Sequence, residues 1–168
     1  MFHSTYDVKV DSKGRVSVPA PFRAALNGGS RVFLWPALDG SGCLEGGGEE
    51  LMAMYRQTIL RLPPQSRKRK VLSHAIIARA ADLKMDEPGR IKLPEKWVTK
   101  TGVTDRVIFS GNIESFQVWE PSAYEAFDLQ VDEAMLEDEF ANALEEPYGD
   151  ALASGGLPGL SVVDGGAE

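Results

Sequence analysis

Asp11-Ser12-Lys13-Gly14-Arg15-Val16-Ser17-Val18-Pro19 returns 75 positions later as Asp86-Glu87-Pro88-Gly89-Arg90-Ile91-Lys92-Leu93-Pro94. The same offset carries outward without a gap. Asp7-Val8-Lys9-Val10 meets Asp82-Leu83-Lys84-Met85, and Phe22 meets Trp97. Arg31-Val32-Phe33-Leu34 meets Arg106-Val107-Ile108-Phe109, and Cys43-Leu44-Glu45 meets Val118-Trp119-Glu120. An ungapped match of this span reads as a tandem duplication of one small β-rich unit.

Each copy spans about 45 residues, close to the size below which a core no longer outweighs chain entropy. The two copies, or several chains, are therefore expected to share one core. Val16, Val18, Ile91 and Leu93 are the apolar faces offered for sharing between chains, in an assembly larger than a dimer. The 168 residues contain no apolar run near the ~20 residues of a membrane span and no signal-peptide pattern. With Cys43 the only cysteine, no intramolecular disulfide forms, and the expectation is a soluble cytoplasmic protein.

The formal charge of −7 divides unevenly. All 18 Lys and Arg precede Pro121, together with 13 acidic residues; the remaining 12 acids follow with no cation among them. A basic body with an acidic end is a pattern of nucleic-acid binders, and a solvated tail produces it too.

Along the chain, Val8 and Val10 alternate with Asp7 and Lys9 as a half-buried strand. Asp11–Gly14 is a turn, and Val16 and Val18 belong to a second strand ended by Pro19. This makes a hairpin with Lys13 and Arg15 at or beside its tip. A short helix follows over Pro21–Leu26, stopped by Asn27-Gly28-Gly29, and then strands at Val32–Trp35 and Cys43–Leu44. From Glu49 the period becomes helical, with Leu51, Met54, Tyr55, Thr58, Ile59 and Leu62 on one side. Pro63-Pro64 breaks that helix, and Ser66 caps a second one whose apolar side is Val71, His74, Ala75 and Ala78. The second copy repeats the order, with a helix over Glu95–Lys100 and strands at Val107–Ser110 and Phe116–Trp119. The expected organisation is a first unit over 7–52, bridging helices over 53–80 and a second unit over 81–124. An acidic helix over 125–144 and a disordered tail over 145–168 complete it.

In the repeated motif, Arg15 and Arg90 persist while their neighbours vary, Ser12 against Glu87, Lys13 against Pro88 and Ser17 against Lys92. Two causes can hold an arginine there. It can brace the turn against Asp11 or Asp86, or it can contact DNA, where its fork suits guanine or phosphate. Arg67-Lys68-Arg69-Lys70 reads as a solvated helix face or as a phosphate contact. His3 and His74 lack the spacing of a metal site, His74 is expected to pack in its helix, and Cys43 is expected to be a core thiol. No phosphate loop, dinucleotide fingerprint, nucleophile elbow or Cys–His pair is written in the chain, so no catalytic residue is named and no cofactor or metal is expected.

The doubled Asp-x-x-Gly-Arg-hydrophobic-x-hydrophobic-Pro motif with helices between its copies resembles the MraZ family. Met1-Phe2, Asp11–Arg23, Leu38-Asp39-Gly40 and Phe116–Glu120 share that likeness, which covers residues 1–127. A single copy resembles only the wider AbrB-like swapped-hairpin group, which includes antitoxins. The resemblance implies an α+β, mainly β fold in which tandem AbrB-like swapped-hairpin units form a double-split β-barrel. It further implies a ring-like homo-oligomer that is cytoplasmic and nucleoid-associated. Its function would be a sequence-specific transcriptional regulator, a repressor by expectation, acting on double-stranded DNA at repeated short G-rich boxes upstream of the cell division and cell wall gene cluster. Arg15, Arg90, Lys13, Lys92 and Arg23 are the expected DNA-binding residues, and Asp11, Gly14, Asp86 and Gly89 the expected turn-bracing ones. The chain departs from the family pattern at Pro88, which faces Lys13 in the first copy, and in its long segment after Phe127. The alternative is an oligomeric interaction protein whose basic hairpin surface docks an acidic protein partner.

Overall fold

The computed structural model describes residues 1–137, 140, 142 and 143; the expected tail at 145–168 and the end of the expected acidic helix lie outside them. The first strand, β1 (Thr5–Lys9), alternates exposed and half-buried residues, as its period of two requires. After the Asp11–Gly14 turn come β2 (Arg15–Ser17) and α1 (Ala20–Ala25), whose first turn holds Pro21 where no amide partner is needed. Then follow β3 (Arg31–Pro36), β4 (Leu44–Gly47) and α2 (Glu49–Leu60). Helix α3 (Arg67–Leu72) starts at Ser66, whose hydroxyl accepts the Arg69 amide, and runs on as a π-helical stretch over Ser73–Ala78. The second half contributes β5 (Ala81–Lys84), β6 (Arg90–Lys92), α4 (Glu95–Thr101), β7 (Arg106–Asn112), β8 (Ser115–Trp119) and α5 (Pro121–Ala134).

The fold is α+β and mainly β. Six antiparallel strands form one sheet in the order β1-β7-β8-β4-β3-β5, and β2 pairs with β6 as a separate two-stranded ribbon. Among the described residues the sheet does not close into a barrel by hydrogen bonding. Its register follows the sequence offset of 75. Val8 lies opposite Val107 and Val32 opposite Leu83; the amide of Val10 donates to Asp105 O, and that of Met85 to Ser30 O. The expected hairpin of β1 and β2 is corrected here: its two legs do not pair with each other. Only the turn ties them, through Asp11 N–H to Arg15 O at 2.9 Å, while β1 pairs with β7 and β2 with β6. Residues that read as a local ladder instead find their partners in the other half of the chain.

The core belongs to both halves at once. Val16, Val18 and Phe22 pack with Ile91, Leu93 and Trp97 in one cluster that also holds Phe109 and Phe116. Phe22 is its hub, with the rings of Phe2, Tyr6 and Phe116 each 5.4 Å away. Val16, Val18, Ile91 and Leu93 are no more than 2% exposed within a single chain, so they are not faces left over for a neighbouring copy. Phe2 is buried and bridges to Ile113 by main-chain bonds. At the centre of the sheet β4 lies between β3 and β8, and a Cβ on Gly46 would lie 2.5 Å from Leu34 Cδ2 and 2.8 Å from the Phe116 ring. A second cluster seats α2 and the π-helical stretch on β3 through Trp35, Leu51, Ile59 and Ile76.

Here the expected helix faces shift. His74, expected to pack, is exposed, and Val71 is 54% exposed, while Leu72 and Ile76 turn inward. The π-helical stretch inserts extra residues per turn, which rotates the buried face away from the 3.6 period read from sequence. In α2, Met54 and Thr58 are likewise exposed, and the buried side is narrower, running through Leu51, Met52, Tyr55 and Ile59. Met1–Tyr124 forms one compact unit, and the chain from Glu125 a second. The second contains the later turns of α5, whose apolar residues Leu129 and Val131 are exposed.

Candidate nucleic-acid interface

The ribbon is the place where the two copies of the motif meet. Val16 lies directly opposite Ile91, Arg15 opposite Lys92 and Ser17 opposite Arg90. Successive side chains of a strand point to opposite faces. Val16 and Ile91 are buried, so Arg15, Ser17, Arg90 and Lys92 share the outer face. The main-chain bonds continue past the ribbon at both ends: Val18 N–H donates to Gly89 O and Leu93 N–H to Gly14 O, each at 3.0 Å. Each turn is thereby fixed to the end of the opposite strand.

Within each turn the aspartate organises the arginine. Asp11 Oδ1 accepts the amides of Lys13 and Arg15, both at 2.9 Å, and its Oδ2 accepts Arg15 Nε at 2.7 Å. Asp86 does the same for Arg90, with the amide at 2.7 Å and Nε at 2.8 Å. Pro88 has no amide, so the bond that Lys13 makes has no counterpart in the second turn. Both carboxylates are held below their ordinary value of 3.8, chiefly by the backbone amide of their own arginine; Arg15 also acts on Asp86 through space. Gly14 and Gly89 sit at φ of 76° and 83°, which a side chain rarely adopts, so the turns require glycine there.

Binding Asp through Nε uses one edge of each guanidinium and leaves its two terminal amines without a hydrogen-bond partner among the described residues. The pairs are about one-third exposed, so those amines are reachable from solvent. Lys92 pairs with Glu95 at 2.9 Å, and Lys13 is exposed with no side-chain partner among the described residues. Arg23 lies elsewhere. Its Nη1 donates to Val18 O at 2.6 Å, and its stem lies against Gly89, where a Cβ would meet Arg23 Cδ at 2.5 Å. Thus the structure brings Arg15, Arg90 and Lys92 to one face, leaves Lys13 on a turn beside it, and puts Arg23 against the second turn. Sequence reasoning missed the cross-pairing of β2 with β6, which alone makes these side chains neighbours. The equal offset of all the motif residues was the signal present.

Arg67, Lys68 and Lys70 form no ion pair among the described residues, whereas Arg69 turns back to donate to Leu62 O at 3.2 Å. Cys43 is 1% exposed beside Ser41, and burial pushes its thiol up to about 11. No helix among the described residues is long and apolar enough to cross a membrane.

The family model for MraZ protein, described as antitoxin-like, matches residues 1–39 and 76–146. These two segments contain both motif copies. A relative from Hyphomonas neptunium, named transcriptional regulator MraZ, is 47% identical over 88% of this chain and 90% of its own length. Relatives of the same name from Parvibaculum lavamentivorans and Caulobacter vibrioides are 39% and 37% identical, each over 77% of this chain and over 81% and 83% of their own length. The paired ribbon with its two Asp-braced arginines therefore sits in a chain that belongs to the MraZ family.

Proposed function

We propose that this chain is a sequence-specific DNA-binding transcriptional regulator that reads the major groove with the outer face of the β2–β6 ribbon. The carrying observation is the arrangement of Arg15 and Arg90. Each is oriented by an aspartate through Nε while its terminal amines stay free on one face. A two-stranded ribbon fits the major groove, and the two terminal amines of arginine match guanine O6 and N7. Lys13 and Lys92 flank them as phosphate contacts. The relatives named as transcriptional regulators support the same reading.

The finer parts of the proposal follow the family. The two halves are duplicated AbrB-like units interleaved as a split barrel, a reading supported by the register that repeats at an offset of 75. Homo-oligomers, ring-like by family resemblance, align several ribbons on repeated short G-rich boxes upstream of the division and wall gene cluster, at the cytoplasmic nucleoid. Linkage of weak sites on one assembly raises avidity. Exposed Met54, Leu60, Val71, Ile77 and Ile113 supply apolar surface for such contacts. Docking of an acidic protein is the weaker reading, because Asp11, Asp86 and Glu95 already balance the ribbon's Arg15, Arg90 and Lys92.

The experiment is a binding titration of the chain's own upstream promoter fragment in excess nonspecific DNA. Wild type retains the fragment. Arg15→Ala loses about 1–3 kcal/mol and relaxes preference at one position of each box. An Arg15→Ala protein that binds the fragment like wild type, with its fold intact, refutes groove readout.

A further inference from the structure

We infer that Arg23 is a positioning residue for Arg90, and that the two arginine-bearing turns are consequently unequal readers: the Asp86 turn is clamped and the Asp11 turn adaptable. This rests on the ribbon reading proposed above.

The inference comes from comparing positions 75 apart. Arg23 of α1 reaches the second turn, lying along Gly89 and donating from Nη1 to Val18 O at 2.6 Å. Val18 in turn donates its amide to Gly89 O at 3.0 Å, so one side chain touches both partners of the bond that ties the turn to β2. The position matching Arg23 in the second half is Val98, which has no donor, and packs on the core. Leu93 donates to Gly14 O at 3.0 Å, yet a Cβ on Gly14 would meet nothing within 4 Å. Gly89 is accordingly buried and Gly14 only half-buried.

Inside the turns, Lys13 N–H donates to Asp11 Oδ1 at 2.9 Å, a bond that Pro88 cannot make, so what clamps the second turn is Arg23 and the proline ring. The clamped turn carries Glu87 and Pro88, whose ring fixes φ and whose carboxylate repels phosphate, whereas the open turn carries Ser12 and Lys13. An arginine whose turn is clamped from outside loses little entropy on binding and discriminates sharply, while a turn without the Arg23 clamp, beside an unpaired lysine, tolerates more variation. The ribbon therefore has a polarity: both arginines read, Arg90 with the sharper discrimination and Arg15 beside Lys13 with more tolerance. Arg23 itself sends its guanidinium to a carbonyl and is not needed at the DNA surface.

The test compares Arg23→Ala, Arg23→Lys, Arg90→Ala and Arg15→Ala on the chain's own upstream promoter fragment, substituted one base pair at a time. Amide hydrogen exchange of the DNA-free proteins is followed alongside. In Arg23→Ala, exchange speeds up at Val18, Gly89 and Arg90 while Gly14 and Arg15 keep their wild-type rates. Its discrimination falls about tenfold, the scale of one lost base contact, only at the base pairs that Arg90→Ala also relaxes. Arg23→Lys, retaining the stem over Gly89 and a donor, restores part of it. The inference is overturned if Arg23→Ala weakens binding evenly with a shallower salt dependence, since Arg23 would then touch phosphate. It is equally overturned if Arg23→Ala discriminates as wild type while Arg90→Ala does not, a result that leaves the ribbon reading standing. If Arg15→Ala binds as wild type with its fold intact, the ribbon reading falls and this inference with it; if Arg90→Ala alone binds as wild type, this inference falls while the ribbon reading stands.

Discussion

Replacing Ile91 by alanine tests whether the ribbon is part of the core or an appendage laid upon it. Ile91 is 1% exposed, directly opposite Val16, itself 1% exposed, and both belong to the cluster that includes Phe22 and Trp97. The main-chain bonds at both ends of the ribbon hold its strands in place, so the site cannot collapse to fill a void. Such a truncation costs about 2–5 kcal/mol, and Ile91→Val about 0.5–1.5 kcal/mol. A loss of about 3 kcal/mol with a urea slope of about 2 kcal/mol/M lowers the midpoint by about 1.5 M. Trp35, Trp97 and Trp119 are the chain's three tryptophans and all lie in the Met1–Tyr124 unit, so their fluorescence reports the unfolding of that unit. Val16→Ala with Ile91→Ala should be non-additive, because the two side chains share one cavity. If Ile91→Ala moves the midpoint no more than Ser17→Ala on the outer face, the ribbon is not anchored in the core and the reasoning fails.

Gly46→Ala should lose about 1–3 kcal/mol by overpacking against Leu34 and Phe116, measured by the same titration; a neutral result would mean that β4 and β8 can separate freely. Asp11 and Asp86 have depressed pKa values in the folded state, so their contribution is present above the ordinary value of 3.8 and disappears as pH falls through the depressed range. Melting temperature against pH should therefore decline less steeply below 3.8 in the Asp11→Asn, Asp86→Asn double variant; an unchanged slope assigns the acid loss to Asp39, Glu95 and Glu120, which are lowered too. Cys43, with its thiol pushed up to about 11 by burial, should resist alkylation by iodoacetamide at pH 8 until the protein is unfolded. Rapid labelling of the native protein would contradict that burial.

Element types were legible because the periods were clean: Val8 and Val10 alternate with Asp7 and Lys9, and Ser66 marks the start of α3. The turns were legible from Asp, Gly and the spacing between them. Strand partnership was not. A strand of three residues such as β2 or β6 carries no information about which neighbour it will pair with, and local hairpin logic selected the wrong one. Nor did periodicity foresee Gly46 and Gly47 inside β4, because glycine lowers strand propensity and its reason is the space taken by the side chains of Leu34, Phe116 and Leu51. The exposure of His74 follows from a π-helical stretch, a change of helical pitch that no 3.6-residue template contains.

The charge of the candidate site gives the ribbon its character. Among the described residues the basic body is not a basic patch at the ribbon: Arg15, Arg90 and Lys92 each face a carboxylate within 3 Å. Net attraction to a phosphate backbone is therefore modest there, and what the ribbon offers in excess is direction. Asp11 and Asp86 take the Nε edge, which orients the guanidinium plane and lowers the entropy lost when its terminal amines find acceptors. On the proposed groove reading such a carboxylate would sharpen the contact rather than weaken it, because removing the Asp would free the arginine to bind any phosphate. The repeated Asp and the repeated Arg are then one structural device in both turns, and the proposed reading would use it for aimed donors rather than for charge.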